Sequence, residues 1–445
     1  MGFVLSLLYF VICYLTPQAI FGPLAAYRIE LILALLVSVV SVPALSGSLI
    51  WKTPQSLALI GLMFSVFLSA VFGMHWAGGS VPALLTFIPN AFAYFLVCLH
   101  CNTKKRLKII VLMAVFVCLF VMVHGYYDLR LGLPESNYLM AQKNTAGEWI
   151  YRVRGLGGIN DPNDFAQLIA CVTPLVFIFW RKKQPLRNTA CVLVPVCALL
   201  YGEFLTHSRG GMLAFLAMAI VAARRRVGTL PALLLAVVLF VAASALHVTG
   251  GRDISADAGE DRTDLWSESM QLIKSHPLVG IGFGNLPDYL GHTAHNTVLV
   301  CTAELGLIGL YFWSLFLFPT LRSALTAASP TQVSDGDPVA RVKELLPFQA
   351  RKIEHIDKAD INHLGRLLVL SLTGFLVAGW FLSRAFVITF FLLGGMVEVV
   401  FQMALQRGMV APRLPMARVL RYTGVLAFSL LVLMYTVLRV LNLVH

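Results

Sequence analysis

Apolar runs of about twenty residues recur from one end of the chain to the other, separated by short polar or basic stretches. They lie near 3–21, 29–48, 55–74, 82–100, 107–124, 163–180, 188–206, 210–224, 229–248, 295–318, 366–383, 386–405 and 423–442, the first broken by Pro17 and Pro23. About twenty apolar residues is the length a helix needs to cross a hydrocarbon layer of roughly 30 Å. The runs are continuous rather than alternating, and lipid admits only helical bundles or closed barrels, so the pattern selects the bundle. The expected fold is all-α: a polytopic integral membrane helical bundle of about 12–13 transmembrane helices.

Composition agrees. Hydrophobic residues make up 58% of the chain and charged residues 13%, about half the charged share of an average soluble protein. A net charge of +12 invites a nucleic-acid reading, but the placement of the basic residues argues for no nucleic acid. One set of alternate loops carries 23 of the 34 Lys and Arg residues and the other set carries 10. The positive-inside rule makes the richer side cytoplasmic and puts the N-terminus inside. Two long loops then fall outside, near 125–162 and 249–294, the second expected to be partly helical. A polar loop at 321–365 falls inside, where residues 340–360 read as a surface helix.

All eight cysteines lie in or beside apolar segments, which excludes a disulfide framework and a ligand-spaced metal cluster. Cys98 and Cys101 read as small apolar packing residues. The start MGFVLS fits a myristoylation pattern but runs straight into an apolar helix that reads as retained.

Three polar stretches interrupt the apolar pattern on the expected outer side. They are His207-Ser208-Arg209-Gly210-Gly211, Asp261 to Trp266, and the run from Gly280 to Trp313. The last begins as a glycine-rich turn, passes His292, His295 and Asn296, and becomes an apolar helix containing Glu304. A charged lipid-linked substrate calls for fixed opposite charge, and arginine offers a planar, always-charged fork for phosphate oxygens. Arg209 and Arg262 are the first candidates, with Arg154 and Arg384 behind them. The plain alternatives are a helix-end anchor for Arg209 and an ion pair with Glu260 or Asp261 for Arg262.

Histidine is the usual base near neutral pH, and His295 stands about where a helix begins, where the positive helix end disfavours imidazolium. His292 reads as loop packing or a sugar contact, and Asn296 as a sugar contact or a helix cap. Glu304 lies half a turn out of phase with His295 on a straight helix and is expected to bond another helix. Asp161 and Asp164 could be read as a metal pair. Asp161 as N-cap, with Pro162 at N1 and Asp164 at N3, is the better reading. The Gly280-x-Gly282-x-Gly284 run has no strand–helix unit around it, so it reads as a tight turn that lets backbone approach a neighbour or a phosphate. Between that run and Arg262, Leu265, Trp266, Leu272 and Ile273 suggest a helix along the membrane surface.

The ordered set of motifs resembles the O-antigen ligase and O-antigen polymerase superfamily. It comprises Arg262-x-x-x-Trp266, His276-Pro277-Leu278-Val279-Gly280-x-Gly282-x-Gly284-Asn285, His295-Asn296-x-x-Leu299 and Glu304-x-Gly306-x-x-Gly309. Upstream, Arg154-Gly155, Asp161-Pro162-Asn163-Asp164 and Ser208-Arg209-Gly210-Gly211 fit, as does Ser383-Arg384 downstream. The resemblance implies a glycosyltransferase of the bacterial inner membrane that moves a glycan from undecaprenyl pyrophosphate to an acceptor at the periplasmic face, without a metal or nucleotide sugar. Its partners would be the lipid-linked donor, lipid A-core or another glycan acceptor, and membrane lipids. It also implies three regions: 1–150 with N-terminal helices and the first outer loop, 151–386 as the catalytic membrane region with periplasmic loop 249–294, and 387–445 with C-terminal helices.

Ligation to lipid A-core is the leading expectation. Polymerisation and protein O-glycosylation stay open, since no acceptor-specific element stands out. A transporter for lipid-linked glycan is the competing class. It would call for intramembrane charge on a central path, for which only Glu203, Glu304 and Glu398 are available. A non-catalytic assembly protein is the third class.

Overall fold

A computed structural model describes residues 1–45, 50–144, 147–245, 248–249, 257–329 and 357–444. The surface helix expected at 340–360 falls mostly outside the described residues. The main helices are α1 (Gly2–Leu15), α2 (Ile29–Leu45), α3 (Pro54–Leu68), α4 (Ser80–His100), α5 (Lys104–Leu131), α6 (Pro162–Leu175), α7 (Val194–Thr206) and α8 (Arg209–Val227). They continue with α9 (Thr229–Ala245), α10 (Asp257–Ser275), α11 (Leu286–Leu290), α12 (Thr297–Ala327), α13 (Lys358–Gly379), α14 (Ile388–Gln406) and α15 (Met416–Val444). Strands β1 (Leu139–Lys143) and β2 (Trp149–Val153) form one antiparallel hairpin, the only sheet among the described residues.

Nine helical stretches among the described residues are long and apolar enough to cross a membrane, and three shorter apolar helices accompany them. The protein is a multi-pass helical membrane protein, as the apolar pattern predicts. Its exposed faces are rich in large apolar side chains, such as Leu234, Val238 and Val241 on α9 and Val425, Phe428 and Val432 on α15. A lipid-facing surface needs such side chains.

The described residues form two compact units, neither continuous in sequence. The first comprises Met1–Pro43, Leu99–Ile254 and His363–Ala378. Its core is α6, which starts on an Asp161 cap with Pro162 at the first helical position. The Asp161 carboxylate accepts from Asn163 N at 2.7 Å, so the capping reading of this residue holds. Gln167, inside α6, donates to Phe375 O of α13 at 3.0 Å. α5 runs on to Leu131, several residues past the expected end near 124, and stops at Gly132 in the left-handed conformation. The β hairpin follows, within what the pattern gave only as loop.

The second unit comprises Ala44–Cys98, Ser255–Asn362 and Gly379–His445. Helix α14 lies at its centre, nearly all of it buried. Around it Phe316, Phe390, Phe391, Phe87 and Tyr94 meet edge to face or tilted, with ring centroids 4.9–6.0 Å apart. Gly61 of α3 leaves room for the Phe312 ring of α12. Cys98 of this unit and Cys101 of the first are buried, and none of the eight cysteines is in a disulfide.

Helix α12 is not the straight rod that the apolar run suggests. Gly306 has φ 65° and ψ −168°, which interrupts the helix after its first nine residues. The break frees two carbonyls and two N–H groups, and the preceding loop satisfies all four. Ala303 O accepts from Ile281 N at 2.9 Å and Glu304 O from Gly282 N at 3.1 Å. Leu307 N donates to Pro277 O at 2.8 Å and Ile308 N to Leu278 O at 3.3 Å. The Pro277–Gly282 backbone thus replaces one turn of helix bonding. A Cβ at Gly306 would overlap the Leu278 carbonyl, and one at Gly280, itself at φ 70°, would overlap the Glu304 carbonyl. The glycine-rich turn does bring backbone against a neighbour, and the neighbour is this broken helix.

Candidate functional site

Of the sequence-predicted site residues, Arg154 and Arg209 belong to the first unit, and Arg262, His292, His295, Asn296 and Arg384 to the second.

In the first unit the turn between α7 and α8 is held on every side. His207 is at φ 49°, in the left-handed region, and its Nδ1 bonds Val248 O at 3.0 Å. Ser208 caps α8, accepting from Gly211 N at 3.2 Å and donating to Asn163 Oδ1 at 2.9 Å. Arg209 is the first helical residue of α8, so a guanidinium stands at the positive end of a 19-residue helix. Backbone N–H groups and the helix dipole favour an anion there.

Beneath this turn is a residue that the sequence reading counted among the outer basic residues but did not single out. Arg152 on β2 is 1% exposed. Its Nε donates to Thr206 O at 2.8 Å, Nη1 to Gln142 Oε1 at 2.9 Å and Nη2 to Asn163 Oδ1 at 2.9 Å. Burial pushes its pKa down to about 10; Asp161 opposes that shift and Arg209 adds to it. The hairpin register pairs Met140 with Arg152 and Gln142 with Ile150, which puts Gln142 and Arg152 diagonally on one face. The signal in the sequence was the strand-like run Trp149-Ile-Tyr-Arg-Val153, rich in aromatic and β-branched residues with an arginine in it. Arg154, in contrast, is half-buried and donates its Nε to Asn137 O at 3.1 Å.

In the second unit His295 sits immediately before the Asn296 cap of α12, at φ 48°. It therefore precedes the helix rather than opening it. Its surroundings fix its backbone from three directions. The Trp266 indole, 6% exposed, donates to Ala294 O at 2.8 Å. Ser383 Oγ accepts from His295 N at 2.8 Å. Asn296, 0% exposed, caps α12 through Oδ1, which accepts from Val298 N at 2.9 Å and Leu299 N at 3.1 Å, while its Nδ2 donates to Trp380 O at 3.0 Å. The capping alternative for Asn296 is the one its side chain follows. Thr297 Oγ1 adds a bond to Leu382 O at 2.8 Å. Segment 380–385, which includes Arg384, is thereby laced to the start of α12. His292 is exposed in the loop that follows the left-handed cap of α11 at Gly291.

Helix α10 buries Thr263, Trp266, Ser269 and Ile273 at helical spacing. Arg262 occupies the position one turn before Trp266 on this helix; its side chain lies outside the described residues. Glu304 is buried, and its carboxylate bonds the backbone N–H groups of Gly284 and Leu286. Leu286 opens α11, so the expected bond to another helix is present, and Gly284 adds the glycine loop, which the break at Gly306 lets reach α12. The other two intramembrane acids differ from it and from each other. Glu398 pairs with Arg413 in the second unit. Glu203 is buried against Gly211 in the first, with neither oxygen hydrogen-bonded among the described residues.

The arrangement offers two chemical capacities. One is a set of anchored cations at a helix start, suited to an anion. The other is a histidine with a rigid backbone beside a second arginine-bearing segment. Residues 194–314 match the family model described as O-antigen ligase. The matched stretch includes Arg209, Arg262, His295, Asn296, Glu304 and Gly306, and it supports an O-antigen ligase/polymerase-type membrane glycosyltransferase in general. No curated protein matches the chain.

Proposed function

We propose that the protein transfers a glycan from undecaprenyl pyrophosphate to an acceptor hydroxyl at the periplasmic face of the bacterial inner membrane, without a metal, and that the acceptor is lipid A-core. The observation that carries this reading is the rigid seating of His295 by Trp266, Ser383 and Asn296, within a stretch matching O-antigen ligase. A general base gains from a fixed position, since effective proton transfer needs hydrogen-bond reach to the attacking hydroxyl.

In this mechanism the acceptor oxygen attacks the anomeric carbon and the bond from that carbon to the diphosphate oxygen breaks. The electron pair leaves with the diphosphate, and the hydroxyl proton passes to His295. Arg262 neutralises the charge that develops on the leaving group, and in the first unit Arg209 is suited to hold an anion at the start of α8. Arg384 assists in holding donor phosphate or sugar, His292 contacts sugar, and Asn296 acts by holding the start of α12. The single displacement inverts the anomeric centre.

A transporter would use intramembrane acids along a path. Glu304 and Glu398 are instead engaged by backbone and by Arg413, which leaves Glu203 alone of the three without a hydrogen-bond partner among the described residues, and one acid does not make a path. The test is incubation of the purified protein with undecaprenyl-pyrophosphoryl glycan and each of three acceptors: lipid A-core, a second lipid-linked glycan, and a peptide. Transfer to lipid A-core alone is expected and should persist in chelator. Transfer only to one of the other acceptors would replace the ligase reading with polymerase or protein glycosylation, and loss in chelator restored by Mg²⁺ would overturn the metal-free mechanism.

A further inference from the structure

The second unit has a feature at the end of α12 far from His295. Arg322 lies 27 positions beyond His295, on the order of 40 Å along the helix at about 1.5 Å per residue. A narrow cleft of about 40 Å³ opens there, walled by Phe318 and Arg322 of α12, Phe401 of α14, and Pro412 and Arg413 of the connection to α15. A broader groove of about 500 Å³ shares Phe318, Arg322 and Thr326 with the cleft and adds Leu321 and Leu325. Leu325 is 45% exposed.

Among the described residues the segments that wall this cleft carry arginine, and the one acid beside them is Glu398. Residues 407–421 hold Arg407, Arg413, Arg418 and Arg421 with no acidic residue, and residues 318–329 add Arg322, again with none. Arg413 is neutralised: its guanidinium pairs with Glu398, donates to Gln55 Oε1 at 3.3 Å and lies over the Phe401 ring at 5.1 Å. It forms a fixed wall. Arg322, Arg418 and Arg421 are exposed, and none is paired with an acid among the described residues. The first turns of α15, with Arg418 and Arg421, pack beside the groove through the Phe318–Tyr422 ring contact at 5.9 Å.

We propose that this cleft and groove bind an anionic phospholipid. Arg322, with Arg418 and Arg421 at the rim, takes the phosphodiester headgroup, and the Phe318–Leu321–Leu325 groove takes the adjoining acyl chain. Basic pockets between transmembrane helices recognise headgroups in this way. A lipid fits better than a free anion because unneutralised arginine borders an open apolar groove, matching both parts of one amphipathic molecule. The site lies at the end of α12 opposite His295 and does not depend on the glycan-transfer reading.

The test is thermal unfolding of the full-length protein in neutral detergent, titrated with phosphatidylglycerol, phosphatidylcholine or inorganic phosphate. Phosphatidylglycerol should raise the unfolding temperature, and the other two should not. Arg322→Gln should weaken the phosphatidylglycerol midpoint roughly fivefold, and Arg322→Lys should retain most of the effect. Arg439→Gln, at the other end of α15, should match the wild type. Arg322 is exposed, so its variants keep the fold. As a second readout, a photoactivatable phosphatidylglycerol should label 318–329. Equal effects of phosphatidylcholine, reproduction by free phosphate, or equal weakening by Arg439→Gln would overturn the site, the last by showing diffuse attraction or simple interfacial anchoring.

Discussion

Replacing Arg152 by alanine should unfold the turn that carries Arg209 before it does anything else. The side chain is 1% exposed and spends its donors on three separate acceptors: the Thr206 carbonyl, Gln142 Oε1 and Asn163 Oδ1. A hydrogen bond from a charged donor contributes about 1.5–3 kcal/mol, so three give a ceiling near 4–9 kcal/mol. Removing the cation also relieves the cost of burying it, which is several kcal/mol. The expected net loss is therefore about 3 kcal/mol, a sizeable share of the roughly 5–15 kcal/mol that stabilises a folded chain. Asn163 would keep its bond from Ser208, whereas Gln142 Oε1 would lose the bond it has. Lysine should not rescue, because a point charge cannot reach three acceptors set around a planar fork. Arg154→Ala, two positions away and half-buried, should cost under about 1 kcal/mol. Thermal unfolding in detergent, read by fluorescence and by retention of a monodisperse peak, separates these cases. If Arg152→Ala unfolds within one degree of the wild type, or if Arg154→Ala is the more damaging change, the scaffold argument is wrong.

Other substitutions test the second unit. Gly306→Ala must place a Cβ against the Leu278 carbonyl at a backbone conformation that only glycine adopts, so it should cost more than about 3 kcal/mol and lower the yield of folded protein. Gly284→Ala, at φ 76° but with open space around it, should cost only about 1–2 kcal/mol in the same unfolding assay. Trp266→Phe keeps the ring but leaves Ala294 O without its donor. It should lose about 1–2 kcal/mol of stability and lower kcat several-fold with little change in KM, since the effect acts on the seat of His295. Asp161→Asn should keep the cap of α6 and the unfolding temperature, whereas Asp161→Ala should lose about 1 kcal/mol.

The helices were legible because lipid leaves the chain little choice: a long apolar run must close its own hydrogen bonds. The caps were legible for the same kind of reason, Asp161-Pro162 and Asn296 being residues that satisfy a helix start locally. The break in α12 was not legible. Gly306 reads as an ordinary small residue until the Pro277–Gly282 loop supplies partners for the freed backbone, and that is a tertiary fact. That Glu304 would bond the glycine loop at Gly284 as well as the start of α11 was hidden for the same reason. Arg152 escaped because a short hairpin inside a polar loop has a weak signal, and because one buried arginine among outer basic residues looks like its neighbours. Trp266 was visible as part of a motif, but its role in holding Ala294 depends on a contact 28 residues away.

The central claim is that His295 is the base and Arg262 a charge-stabilising group in glycan transfer from a polyprenyl diphosphate. The most direct measurement is single-turnover transfer by purified wild-type, His295→Ala and Arg262→Ala proteins, each first shown to unfold at the same temperature. Loss of at least about a hundredfold in rate in both variants is the predicted result. Turnover at the wild-type rate in either would contradict it.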